Sequence, residues 1–308
     1  MSSTPAVSDD DQRILSQWKD NVESAFQPSP EEVAFLQATT RIQDEEELKA
    51  HVVAVQHKAL QVYPYPCILK FAFTQTKISK LRGYKETLQL AKNRPGALML
   101  EVGCCVGADT RKAVLDGFPA SQIVASDLHA KFWDIGHEMF RDDKASMPIT
   151  FLAGDVFDPA FLSPDTTAST APLSALTSLT QLHGRLSSIH ASHFLHLFPR
   201  EGQAKLSSLL AGLLLQEKGS VIFGHQVGAE KEGLGQQFGK WAYNRESCRT
   251  LWEAALASVG WTGKADIYAE LVEAPDFVQS VGIGTHFLYC AGIGKPYLSW
   301  CMELLCTD

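Results

Sequence analysis

The chain has 308 residues, 45% of them hydrophobic, and a formal net charge of −8. That apolar content supports one large core or a core with an elaborated cap, and the acidic balance with no basic run argues against a nucleic-acid groove. The partner to expect is a small molecule.

No run of about eighteen apolar residues marks a membrane span. The start, Met1-Ser2-Ser3-Thr4-Pro5 followed by Asp9-Asp10-Asp11, has neither the positive end nor the apolar centre of a secretion signal. A cytoplasmic chain without membrane insertion is expected. The seven cysteines are scattered without a C-x-x-C pair, which predicts reduced thiols and no structural zinc.

In chain order, residues 1–29 read as an acidic segment, partly disordered at its start, with an amphipathic patch at Ile14, Trp18, Val22 and Phe26. Residues 30–95 read as a helical cap. Helices are predicted from Glu31 to Gln37, from Asp44 to Gln61, where four consecutive acids favour the N-terminus, and near Leu81 to Ala91. Between them lies Tyr63-Pro64-Tyr65-Pro66-Cys67, then Ile68 to Phe73. Tyr63, Tyr65 and Phe73 are candidates for lining a hydrophobic pocket, or they fasten the cap to the core.

Residues 96–308 read as an α/β core that starts with a β-α-β unit from Leu98 to Asp127. The apolar run Leu98-Met99-Leu100 leads into Glu101-Val102-Gly103-Cys104-Cys105-Val106-Gly107. An acid thus ends a buried strand, and two glycines sit where the strand turns into a helix. Gly103 can take backbone angles that a side chain forbids, and Gly107 lets the helix start lie close to strand and ligand. Some twenty residues on, Ile123-Val124-Ala125-Ser126 ends in Asp127, placed to accept hydrogen bonds from both hydroxyls of a ribose.

Dinucleotide sites use G-x-G-x-x-G to hold a pyrophosphate on backbone N–H groups. Here Cys105 replaces the middle glycine, Asp109 follows in the first helical turn and Glu101 precedes the loop. Negative side chains around the turn repel a pyrophosphate and suit a cationic ligand. S-adenosylmethionine (SAM), with its sulfonium and α-ammonium groups, fits that description.

A crossover helix from Thr110 to Asp116 ends at Gly117, and a second helix spans Lys131 to Phe140, with Trp133 a candidate pocket residue. Strand three, Ile149 to Ala153, runs into Gly154-Asp155-Val156-Phe157. Residues 163–180 read as a low-complexity surface loop with room for one short helix. Strand four, Leu186 to Ile189, ends in His190-Ala191-Ser192-His193-Phe194-Leu195-His196-Leu197-Phe198-Pro199. Ligands bind beyond the carboxyl ends of parallel strands, so His190, His193, Phe194 and His196 enter the candidate site. A metal is not expected on these histidines: their spacing drifts around a helix and no nearby acid completes a ligand set.

Then follow a helix from Gln203 to Leu215, strand five from Gly219 to Gly224, and His225-Gln226-Val227-Gly228 as a loop. The glycine-rich stretch from Gly228 to Gly239 leads to Trp241, a further pocket candidate, and a helix from Glu246 to Ser258. Strands near Ala265 to Val272 and Thr285 to Ala291 close the pattern.

Acid-x-Gly-x-x-x-Gly resembles motif I of class I SAM-dependent methyltransferases. Several longer strings are more particular: Tyr63 to Ile68, Glu101 to Asp109 with Arg111-Lys112, Ser126-Asp127-Leu128, Phe132 to Phe140, and His193 to Phe198. Together they are similar to fungal secondary-metabolite methyltransferases, nearest to those that methylate carboxyl groups in meroterpenoid pathways. The resemblance covers roughly residues 55–260. It departs at the 163–180 loop, at both ends, and at Val106, where the family usually carries a bulkier aromatic.

The resemblance implies a Rossmann-like class I methyltransferase sheet, mostly parallel with the last strand antiparallel, under an N-terminal helical cap. It implies SAM contacts at Glu101, Gly103, Gly107, Asp127, Leu128, Asp155 and Val156, with Asp155 and Val156 on the adenine and the His190 region closing over the methionine end. It also implies a small apolar acceptor; a homodimer is compatible with the sequence. Methyl transfer from a sulfonium is an in-line displacement, so the protein chiefly aligns the reactants and excludes water. A carboxylate acceptor needs no base, whereas a phenol, with a pKa near 10, benefits from a histidine. His193, His196 and His225 are the candidates for orienting the acceptor or taking its proton. A non-methylating cyclase or isomerase and a regulatory SAM-fold subunit are the alternatives.

Overall fold

The computed structural model describes residues 25–164, 169–234, 241–261, 263–273 and 296–305. The Ile14, Trp18 and Val22 patch and the strand expected from Thr285 to Ala291 lie outside these residues.

Helix α1 (Pro30–Thr40) starts with a reciprocal cap between Ser29 and Glu32 and proline at its first position. Helix α2 (Glu45–Val62) starts on Asp44, whose side chain accepts from the Glu47 N–H, with three acids in its first turn. Buried Gln56 on α2 donates to the carbonyls of Ile68 and Leu69, the latter closing the short helix α3 (Pro66–Leu69). The segment then descends through two tight turns, Ala72–Thr74 and Ile78–Lys80, into α4 (Gly83–Asn93).

The core alternates strands with helices: β1 (Met99–Val102), α5 (Ala108–Leu115), β2 (Ile123–Asp127), α6 (Ala130–Phe140), β3 (Thr150–Ala153), β4 (Ser188–His190), α7 (Arg200–Leu213) and β5 (Val221–Val227). A small hairpin of β6 (Gly233–Leu234) and β7 (Trp241–Ala242) precedes α8 (Arg245–Ser258), and β8 (Lys264–Glu273) and β9 (Pro296–Leu305) complete the sheet. The strand order is β3-β2-β1-β4-β5-β9-β8. Strands β1 to β5 pair in parallel, and β9 is inserted antiparallel between β5 and β8. This is the expected mostly parallel sheet, with its topological switch between β1 and β4.

Alternation along each strand divides the core. Leu100, Val124, Ile189 and Ile222 face one side, with Leu210 of α7 and Trp252 of α8. Met99, Ile123, Val221 and Phe223 face the other, with Tyr84 of α4 and Ala113 of α5. A second layer on that side seats α1 and α2 on α6, where Phe35, Val52 and Val55 pack with Phe132, Ile135 and Phe140. His51 also donates to the Met139 carbonyl at 2.9 Å.

Two local expectations are corrected. Strand β5 runs on through His225 and Gln226 to Val227, because β9 pairs with it along its whole length. Within 163–180, the described residues are not all surface loop: Leu176 is buried and Leu179, which follows Ser178 into a short turn with buried Leu182, belongs to the core beside α7.

Candidate functional site

Register builds the site. Glu101 on β1 lies beside His190 on β4, and His190 lies beside Phe223 on β5. Partners in a parallel ladder point to the same face, and His225, two residues beyond Phe223, shares it. Three adjacent strand ends therefore present Glu101, His190 and His225 to the side covered by α4 and the residue 70–80 segment. Two contacts fix that cover: Thr87 of α4 bonds Ser188 at 2.6 Å, and Phe223 fills the space beside Gly83.

The first turn of α5 adds Asp109. Ligand atoms of Glu101, Asp109 and His190 all lie within 4.8 Å of one another, and all three residues are buried. The expectation that no acid lies near the histidines is thus corrected; sheet pairing brings Glu101 to His190 across a long sequence gap. Asp109 accepts the Ile78 N–H at 2.9 Å, and Glu101 accepts the Thr110 backbone N–H. His190 bonds Ser192 Oγ through Nε2 at 2.6 Å, while its Nδ1 stands 3.7 Å from Glu101 Oε1, too far for a hydrogen bond. Glu101 Oε2 and His190 Nδ1 have no hydrogen-bond partner among the described residues.

Burial sets the charge states. It pushes Glu101 up to about 8, against the lowering effect of Lys77, and raises Asp109 as well. It pulls His190 down to about 4, so this imidazole is neutral at neutral pH. His193 and His225 are also held well below the ordinary histidine value, by burial first, then by His225 and Lys77 for His193 and by Lys77 and His190 for His225. Their rings meet edge to face at 4.2 Å, and the His193 N–H donates to the His225 carbonyl at 2.8 Å. His196 stands 5.9 Å from His193, ring to ring. His193 adopts a left-handed φ of 53°, uncommon for a residue with a side chain.

The glycine turn and strand β2 form the second half. Gly103 has φ 72°, and a Cβ there would fall 2.5 Å from the Phe194 ring. Gly107 has φ 74° and is crowded by Trp133, Arg111 and Thr110, so its close approach is to this packing. Asp127 accepts from the Cys105 N–H at 2.9 Å and the His129 N–H at 3.0 Å, one on each oxygen. Each oxygen keeps a further lone pair. Burial raises the Asp127 carboxyl, and these N–H groups pull it back. Next to it Leu128 is exposed, an apolar platform at the strand tip. At the end of β3, Asp155 is exposed and accepts the Phe157 N–H at 2.9 Å, while Val156 is buried.

Of the aromatic candidates, Tyr63 and Tyr65 gather around His129, beside Asp127: Tyr63 stacks on the imidazole at 5.6 Å and Tyr65 lies 6.3 Å away. Burial and the Asp127 charge raise the Tyr65 hydroxyl. Phe73 is buried against Phe71, and Trp133 stacks flat on Phe151 at 5.1 Å behind Gly107. Both fill core positions. Trp241 lies under Arg200, linked to the tip of β5 through Gln203, which donates to the Trp241 carbonyl and accepts from Gln226. The sequence reading missed His129 and Lys77. No local signal marks either; only the folded chain sets them against the acids.

The meroterpenoid methyltransferase N-terminal domain family matches residues 20–74. The chain is 30% identical over 235 residues to the O-methyltransferase phiE of a fungal species, covering 75% of this chain and 72% of that one. It is 30% identical over 230 residues to the O-methyltransferase atr3 of Stereocaulon alpinum, covering 73% and 62%. It is 28% identical over 219 residues to the asnovolin E/chermesin D methyltransferase nvfJ of Aspergillus novofumigatus, covering 70% and 72%.

Proposed function

Because the chain belongs to the fungal secondary-metabolite methyltransferases that phiE represents, and is a SAM-dependent enzyme, we propose that it methylates an oxygen of a small apolar metabolite, a carboxylate in preference to a hydroxyl. Bound SAM supplies an electrophilic methyl on a sulfonium. The residues present fit it: a buried carboxylate oxygen of Glu101 has no hydrogen-bond partner among the described residues, and Asp127 keeps lone pairs for ribose hydroxyls beside exposed Leu128. In this reading Glu101 meets the methionyl ammonium, Gly103 and Gly107 shape the turn, and Asp155 and Val156 receive the adenine. His190, neutral and pinned by Ser192, borders the methionine end.

The observation that supports a carboxylate is the electrostatic state of the histidines. A base far below the ordinary histidine pKa is a poor match for a phenol near 10. Yet His193 and His225 are held low. A neutral imidazole remains a good N–H donor, suited to orienting an acceptor already ionised. The expected setting is a cytoplasmic meroterpenoid or polyketide pathway, in keeping with the N-terminal domain match and with no helix among the described residues being long and apolar enough to cross a membrane.

Incubation with SAM and matched apolar aryl acids and phenols tests this. The expected product gains one methylene in mass and loses it again on mild alkaline hydrolysis, as an ester does. An alkali-stable methyl ether from the phenol, with the acid untouched, would move the acceptor to the hydroxyl. Turnover with unchanged product mass would point to a non-methylating reaction.

A further inference from the structure

Lys77 stands in the turn before α4 and is half-buried. Its position is not free to drift. The next residue, Ile78, is fully buried, and its N–H is held by Asp109 at 2.9 Å. Asp109 in turn lies within 4.8 Å of Glu101 and His190. The backbone bearing Lys77 is therefore pinned to the rim of the acid cluster by the first turn of the helix that follows the glycine loop.

Its charge acts on both sides of that rim. Lys77 lowers the carboxyls of Glu101 and Asp109 on one side, and disfavours protonation of His190, His193 and His225 on the other. It also favours the thiolates of Cys67 and Cys105. The other cation acting on Glu101, Arg111, is committed: it is buried and forms a two-point pair with Asp142, with Nε to Oδ2 at 2.6 Å and the second amino group to Oδ1 at 2.9 Å. The Lys77 ammonium donates to a neutral group, the Ala72 carbonyl of its own segment. A neutral acceptor is readily exchanged for an anion, because charge-assisted hydrogen bonds are about twice as strong.

The methionyl end of SAM is a zwitterion, with an ammonium and a carboxylate on one carbon. A site that takes only the ammonium on Glu101 would leave that carboxylate facing acids. We infer that Lys77 receives the α-carboxylate of SAM, so that Glu101 and Lys77 together read the amino-acid end of the cofactor. This rests on the SAM reading above. It names the turn between the cap and α4 as a cofactor-recognition element supplied from outside the sheet.

The test uses a ligand pair that differs only at the proposed contact: S-adenosylhomocysteine and its decarboxylated counterpart, S-adenosyl-3-thiopropylamine. Calorimetric dissociation constants are measured for the full chain and for Lys77→Met, which keeps the aliphatic stem. Native protein is expected to prefer S-adenosylhomocysteine. Lys77→Met should weaken that ligand about ten- to a hundredfold, the range of a charged hydrogen bond, while leaving the decarboxylated ligand within about twofold by the same reckoning. Lys77→Arg should restore most of the loss. Equal weakening of both ligands would assign Lys77 a structural role and overturn the inference. So would unaltered binding of both, and a raised KM for the acid acceptor alongside it would move the lysine to the acceptor. If native protein binds neither ligand, the SAM reading itself fails.

Discussion

Glu101 and His190 show how burial, rather than residue type, decides charge in this site. Glu101 sits near 8 and His190 near 4, so at neutral pH the carboxyl favours its protonated form while the imidazole is neutral. For Glu101 the folded value lies above the ordinary one of 4.5, so between these values the native state holds more protons than the unfolded chain. Its contribution to stability is complete below that window and is lost as pH rises through about 8. Buried His190, His193 and His225, held low, push the other way as pH rises through the ordinary histidine range, so the Glu101 part is read against Glu101→Gln. From about pH 6.5 to 8 the native melting temperature of the ligand-free protein should fall relative to that of the variant, and a constant difference would remove Glu101 as a source of pH dependence. Ligand binding reverses the preference, because an ammonium beside Glu101 favours the carboxylate. Affinity for S-adenosylhomocysteine should rise with pH towards 8 and be accompanied by proton release. For the ribose contact proposed for Asp127, Asp127→Ala should weaken the same ligand by about tenfold or more, consistent with the roughly 1.5–3 kcal/mol of a charged hydrogen bond. Unaltered binding would remove the ribose assignment. The acids were legible in the sequence because strand ends and glycine turns mark them. The side of the sheet from which Lys77 and His129 approach was not, since nothing near them in the chain encodes it.

Helix α6 and the glycine turn are coupled as elements. Gly136 faces the backbone of the turn, where an added Cβ would lie 2.3 Å from the Val106 carbonyl oxygen. Arg111 holds the same carbonyl at 3.0 Å and that of Gly107 at 3.2 Å, while it is clamped by Asp142, which also meets His137 at 2.5 Å. The turn is thus fixed from behind by α6. Gly136→Ala is expected to destabilise the fold by about 1–3 kcal/mol, the usual cost of overpacking. It should also weaken cofactor binding, whereas retention of native melting and affinity would show the turn to be independent of α6. Val106 is fully buried in this wedge. A larger aromatic there would need a different fit, which gives a physical sense to the departure from the family pattern. Helices and strands with clear periodicity were legible nearly to their ends, as with β2. The extension of β5 was not, because its partner β9 lies about seventy residues further on, and pairing across such a distance leaves no local trace. The burial of Leu179 and Leu182, rather than the short turn that carries them, was obscured by surrounding serines and threonines.

Across the whole molecule, the sheet order brings Glu101, His190 and His225 together from three strands, and the cap adds tyrosines around His129 beside Asp127 and a lysine on the segment pinned to Asp109. The composition and strand-end acids disclosed the fold class and the cofactor; the acceptor depends on shape and electrostatics that only the assembled chain possesses. An ionised acid needs no proton removed, so at saturating SAM turnover of a carboxylate should stay nearly level from about pH 6 to 8, whereas a phenol without a base would accelerate about tenfold per unit as its anion accumulates. A steep rise with the native acceptor would contradict the acid assignment. The most direct test of the central claim, that buried carboxylates at neighbouring strand ends hold a cationic nucleoside, is titration calorimetry of the full chain near pH 7 with SAM and S-adenosylhomocysteine in two buffers of different ionisation enthalpy. The account predicts saturable one-to-one binding of both with protons released to the buffer; absence of heat with either, together with binding of a nicotinamide dinucleotide, would contradict it.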